Sequence, residues 1–165
     1  MILKLNKDGI IQQFNIVCYP IDFVVVIGNF EKEVNKYYEP YAEEYKNAVI
    51  KIPTSTGCTY RIRERKTGIP CIMIWVPNKE EFTTSIVSHE CCHSALEIWN
   101  YIKSEVSLSN QEPFCYLLGN LVRLAVGCFY EIPGIKPPVI EKESFENGKT
   151  KKKTSKKKKD EQGKL

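Results

Sequence analysis

The run Ser88-His89-Glu90-Cys91-Cys92-His93-Ser94 decides the fold, because it lies inside the strongest helical pattern in the chain. Asn78 offers a capping side chain, and Lys79-Glu80-Glu81 puts acids where the positive end of a helix dipole favours them. The pattern continues to about Tyr101 or Ile102. Its apolar residues fall on two sides, Phe82, Ile86 and Leu96 beside the histidines and Val87, Cys91, Ala95, Ile98 and Ile102 on another, which predicts a largely buried helix. His89 and His93 are the only histidines. Four residues apart on a helix, their imidazoles lie one above the other and can reach one metal ion, while Glu90 is displaced toward that ion's water.

Downstream, Phe114, Leu117, Leu118, Leu121, Val122, Ala125 and Phe129 repeat at helical spacing, so a second helix over roughly Asn110 to Phe129 is the natural packing partner of the first. Upstream, Ile10 to Tyr19 and Asp22 to Gly28 read as neighbouring strands, the second nearly all β-branched or aromatic. Cys58 to Arg65 alternates as a strand does, Lys66-Thr67-Gly68 turns it back, and Pro70 to Pro77 forms another strand through Ile72, Met73, Ile74 and Trp75. Bounded by prolines and next to the histidine helix, that last strand is expected at a sheet edge, where an extended peptide can add. Between the strand groups, the spacing of Val34, Tyr37, Tyr38, Tyr41, Ala42 and Tyr45 predicts a helix over Phe30 to Val49, divided or kinked at Pro40.

A chain of 165 residues with 42% hydrophobic content supports one core. Its net charge of +4 is unevenly spread: residues 141–165 hold ten Lys against five acids, whereas residues 1–140 hold fourteen Lys and Arg against fifteen acids. The body is thus near −1 and the tail at +5. Residues 1–140 are expected to form the metal-binding domain, and 141–165 a disordered Lys-rich tail with too little apolar surface to offset the entropy of ordering. Such a tail invites weak contact with nucleic acid or another anionic surface. Met1-Ile2-Leu3-Lys4 runs into Asn6, Lys7 and Asp8 rather than an apolar leader, and the run from Phe23 to Gly28 is too short to span a bilayer. The expectation is a cytoplasmic protein without membrane insertion. Seven cysteines, an odd number with no C-x-x-C pair, read as reduced core thiols.

Catalytic zinc ordinarily has three protein ligands and an open position for water, whose pKa it lowers to about 7. With no third histidine, a carboxylate must complete the set. Glu112 is the leading candidate, 19 residues after His93 and at the opening of the next helix. Ser109-Asn110-Gln111-Glu112 also satisfies an S-x-x-E capping box, so the same glutamate has a purely helical use. Glu97 and Glu105 are other carboxylates within reach in sequence, and a thiolate from Cys92 or Cys115 would make a closed structural site instead.

The pairing of His89-Glu90-Cys91-Cys92-His93 with Asn110-Gln111-Glu112-Pro113 resembles the gluzincin metallopeptidases, the clan that includes thermolysin. It is similar as well to small zincin-like proteins encoded by bacteriophages and prophages. The likeness covers His89 to Val122, about a fifth of the chain. It implies an α+β fold, a minimal zincin-like core with a small, mostly antiparallel sheet packed on an active-site helix and a following helix. It also implies Zn²⁺ as cofactor, His89, His93 and Glu112 as ligands, Glu90 as general base, and a protein or peptide as substrate. If phage-encoded, the protein would act in the cytoplasm of a bacterial host. Thermolysin-type enzymes add a His or Tyr at the oxyanion and an Asp behind a ligand histidine, but this chain has no spare His and no Asp between Asp22 and Asp160. Tyr116, one turn after Glu112, is the candidate oxyanion donor, ahead of Tyr60 and Tyr130; Asn120 and Arg123 are candidates to support the ligands. Two rivals stand beside the zinc peptidase: a metal-binding protein without turnover, used for structure or partner binding, and a nucleic-acid-associated accessory protein acting through its tail.

Overall fold

The computed structural model describes residues 1–137; the predicted tail at 141–165 lies outside them. The β-branched run becomes β3 (Asp22–Ile27), buried at every position, and the proline-bounded run becomes β6 (Pro70–Val76), buried at every position after Pro70. These two pair in parallel, Val24 opposite Met73 and Val25 opposite Ile74, and form the centre of the sheet. Unbroken apolar sequence, rather than alternation, is what a strand covered on both faces requires. β2 (Gly9–Asn15) lies antiparallel to β3, and β1 (Ile2–Asn6) antiparallel to β2 at one edge. On the other side, β5 (Cys58–Glu64) runs antiparallel to β6, and the three-residue β4 (Tyr38–Pro40) closes the order β1-β2-β3-β6-β5-β4.

Alternation along the central strands divides the core. Phe23, Val25, Ile27, Ile72 and Ile74 face α2 (Thr84–Tyr101) and α3 (Gln111–Glu131), whereas Val24, Val26, Met73 and Trp75 face α1 (Glu31–Tyr37) and the loop that includes Ile50. α2 lies over β5 and β6, and α3 over β2 and β3. The helices are antiparallel: Phe82, just ahead of α2, stacks on Phe129 at 4.6 Å between ring centroids, and Trp99 meets Phe114 edge-on at 5.7 Å. By length and mean hydropathy α3 could cross a bilayer; in this fold Leu117, Leu121, Ala125 and Cys128 are buried in the core beneath it. The architecture is α+β, as the sequence leads one to expect, and all of its strand pairings except β3–β6 are antiparallel.

Three expectations are corrected. The histidine helix does not start at Asn78. That side chain caps a single 3-10 turn over Lys79–Glu81, accepting from the Glu81 N–H at 2.9 Å, and α2 begins after Thr83, whose hydroxyl accepts from Ile86. The helix predicted over Phe30 to Val49 stops at Tyr37. Glu39 precedes a proline, which disfavours helical backbone, and Tyr38 turns extended to pair with Glu64 while its buried hydroxyl donates to Gln13 Oε1 at 2.8 Å. Finally, β6 is central rather than an edge, its prolines marking the strand's two ends, so the strand beside α2 with an open side is β5.

Candidate functional site

α2 turns Val87, Cys91, Ala95 and Ile98 into the core, which leaves His89 and His93 on its exposed face. Their Nε2 atoms stand 3.1 Å apart, with the rings 4.7 Å between centroids and nearly perpendicular. Two nitrogens at zinc–imidazole distance from one ion, at a tetrahedral angle, are about 3.3 Å apart. The pair is therefore spaced as a two-nitrogen chelate. At the same separation one neutral ring donates to the other, so the pair has a hydrogen-bonded state that needs no ion.

Glu90 points toward the sheet and is only 7% exposed. Its Oε2 accepts from the Thr59 hydroxyl at 2.7 Å; the same hydroxyl lies 3.1 Å from the Glu90 carbonyl, which also accepts from the Ser94 hydroxyl at 2.9 Å. Gly57 leaves room for this carboxylate: a Cβ there would stand 3.1 Å from Glu90 Cγ and 3.4 Å from Oε1. Because strand residues alternate, Thr59 and Arg61 face α2, whereas Tyr60 turns away against Trp75. Arg61 is bound through Nε and Nη2 to one oxygen of Glu97, Oε2. Together Gly57, Cys58, Thr59, Arg61, Glu90, His93 and Glu97 line a cleft of about 300 Å³, at the small end of ligand sites, which run roughly 300–1,000 Å³. β4 covers only Ile62–Glu64, and Tyr41 adds one bond to the Arg61 carbonyl, so the outer edge of Cys58–Tyr60 carries no strand partner among the described residues.

The other candidates lie elsewhere. Glu112 is exposed in the first turn of α3, two residues before the Phe114 that meets Trp99, and Trp99 is itself about 9 Å along the axis from His93. The antiparallel hairpin thus carries Glu112 toward the far end of α2. Nor does the capping box form: Asn110 is the cap position, and its Oδ1 accepts from the Ser107 N–H at 2.7 Å. Tyr116 is 72% exposed and lines a different cleft, between α3 and residues 14–19, together with Asn120 and Arg123. Tyr60 donates its hydroxyl to the Lys51 carbonyl at 2.9 Å, and burial raises its pKa. Glu105 is exposed in the turn between the helices.

Among the described residues, no three of His, Cys, Asp and Glu are grouped to hold a metal ion. The seven cysteines are free; Cys91, although inside the motif, is buried, and burial pushes its thiol up to about 12, followed by the effect of neighbouring Glu90. It stays a neutral core thiol rather than a ligand. The structure thus pairs His89 with His93, lines one cleft with His93 and Glu90, and leaves Glu112 and Tyr116 apart from them. Gly57, Thr59 and Arg61 are the residues that the sequence did not nominate. Their one signal was the polar stripe Thr59, Arg61, Arg63 on an otherwise apolar strand.

Thr59→Val keeps the shape of the side chain and removes the hydroxyl bound to a buried carboxylate. It is expected to lower the unfolding free energy by about 1–3 kcal/mol, read as a lower urea midpoint. An unchanged midpoint would mean that this bond contributes nothing to holding α2 against β5. Comparison with protein-family models, with curated proteins and with solved structures returns no match for this chain.

Proposed function

We propose that this protein is a zinc-dependent hydrolase, most simply a peptidase, in which His89 and His93 hold the ion and Glu90 is the general base. The observation that carries the reading is the 3.1 Å separation of the two Nε2 atoms, with the carboxylate of the intervening Glu90 in the wall of the cleft that His93 lines. Zinc bound there supplies Lewis acidity toward a carbonyl and an acidified water. The chain's own residues divide the remaining work. Thr59 holds Oε2 of Glu90, which fixes the carboxylate and leaves Oε1 to take a proton. At the free edge of Cys58–Tyr60 the backbone N–H and C=O of Thr59 face outward beside that base, one pair of groups for an extended peptide, which is why a peptide suits the cleft.

The histidine pair supplies two donors. Glu112, in the first turn of α3, lies toward the far end of α2 and supplies no third, so the reading rests on the two-nitrogen chelate alone. That same observation favours a second reading, a metal-binding protein without turnover, since no further donor is grouped with the pair among the described residues. The contact with nucleic acid suggested by the Lys-rich tail falls on residues 141–165, outside the described chain.

One experiment separates these readings. Purified protein is expected to carry about one zinc per chain and to cleave an unfolded protein substrate, with cleavage lost on chelation and restored by added zinc. Zinc without cleavage would support the second reading; protein that takes up no zinc would end both.

A further inference from the structure

We infer that Arg61 is a specificity-determining residue that selects a substrate carrying a carboxylate within about two residues of the bond attacked. The inference rests on the metal reading above and extends it to substrate class. Among the described residues Arg61 is the single cation lining the cleft, against the carboxylates Glu90 and Glu97. A divalent ion on the histidine pair turns that lining from one net negative charge to one net positive, so the loaded cleft favours an anionic ligand and the empty one repels it.

Position supports the same conclusion. Thr59, which holds Glu90, and Arg61 lie on one face of β5 two residues apart, about 7 Å along the strand. The Tyr41 N–H occupies the Arg61 carbonyl, so an extended peptide on the open edge ends beside Tyr60, and its next carboxylate, from a side chain or the C-terminus, is the group within reach of Arg61. Glu97 engages Arg61 only through Nε and Nη2, both on Oε2, so three of the five guanidinium N–H donors are left for a ligand, and the side chain is 53% exposed. A guanidinium so held meets a carboxylate with parallel hydrogen bonds, a geometry that Lys does not reproduce. Glu97 both orients Arg61 and competes with the incoming anion. The carboxylate has two possible sources, the C-terminus of a peptide or an acidic side chain.

The test uses the full-length Glu90→Gln variant loaded with zinc, so that peptide is bound without being consumed. Binding of acetylated tetrapeptides is measured calorimetrically in two pairs: free acid against amide, and, as amides, Glu against Gln at each central position. At least one anionic peptide is expected to bind ten-fold or more tighter than its neutral partner, and which pair shows the difference identifies the source. Arg61→Gln should abolish that preference, Glu97→Gln should enlarge it, and stripping the zinc, which leaves Arg61 against Glu97 alone in this variant, should weaken it. Equal binding of acid and neutral forms by protein carrying one zinc per chain would overturn the inference while leaving the metal reading intact. Equal weakening by Arg61→Gln and Glu97→Gln would overturn it too, since a mere staple between β5 and α2 behaves that way. Protein that metal analysis finds free of zinc overturns the metal reading, and this inference with it.

Discussion

His93→Ala is expected to reduce zinc affinity by about 10²–10⁴-fold. On one rigid helix the second imidazole binds as an intramolecular ligand, and removing it forfeits that high effective concentration. The two Nε2 atoms already stand 3.1 Å apart, so little of the chelate's advantage is lost to reorganisation. His93 is exposed and makes no bond to the core, so the metal-free variant should unfold within about 0.5 kcal/mol of metal-free wild type. With zinc present the two should diverge, because an ion at a hundred times its dissociation constant stabilises wild type by about 2.7 kcal/mol. Competition with a chromophoric chelator measures the affinity, and thermal unfolding with and without zinc measures the linkage. A variant that retains one tightly bound zinc per chain would place the ion elsewhere.

Glu90→Gln should separate binding from turnover. The substitution preserves volume, and the new amide oxygen can still accept from the Thr59 hydroxyl, so the wall of the cleft is kept. Both imidazoles are untouched, and zinc stoichiometry should remain that of wild type. What is lost is a group able to take a proton, and a positioned general base contributes about 10²–10⁴-fold to a rate. Cleavage of an unfolded substrate should fall by that factor while metal content does not change. If the variant cleaved as fast as wild type, Glu90 would be reduced to a buried side chain that fastens α2 to β5.

The elements that were legible in the sequence are those whose pattern is long or emphatic. α3 carries its apolar spacing from Phe114 to Phe129, about four turns, and the run Phe23–Ile27 has no plausible alternative to a buried strand. The closeness of His89 and His93 was legible for the same local reason, since a four-residue interval on a helix fixes the relative position of two side chains. What could not be read is which elements become neighbours. Val24 and Met73 are partners across the middle of the sheet, yet nothing in either segment names the other. That pairing makes β6 central and puts β5, with Thr59 and Arg61, beside Glu90. The tyrosines at 37, 38, 41 and 45 mimic a helical stripe, but Tyr38 is spent on a strand and a buried hydrogen bond to Gln13. Glu112 illustrates the same limit: its interval from His93 is suggestive, but the path of the turn between the helices, fixed by contacts such as those of Asn110, decides where the carboxylate goes.

The parallel partnership of β3 and β6 also governs when the cleft can exist. Bringing Val24 against Met73 closes a long stretch of chain before any of that contact energy is recovered, a slow kind of step in folding. The histidine helix is local and can form early, but the hydroxyl that steadies its glutamate arrives only once β5 has been carried into place on β6. On the proposed reading, a nascent chain would hold its ion on the histidine helix before the cleft around Glu90 is assembled, and so before it could act on the unfolded polypeptides around it, its own included.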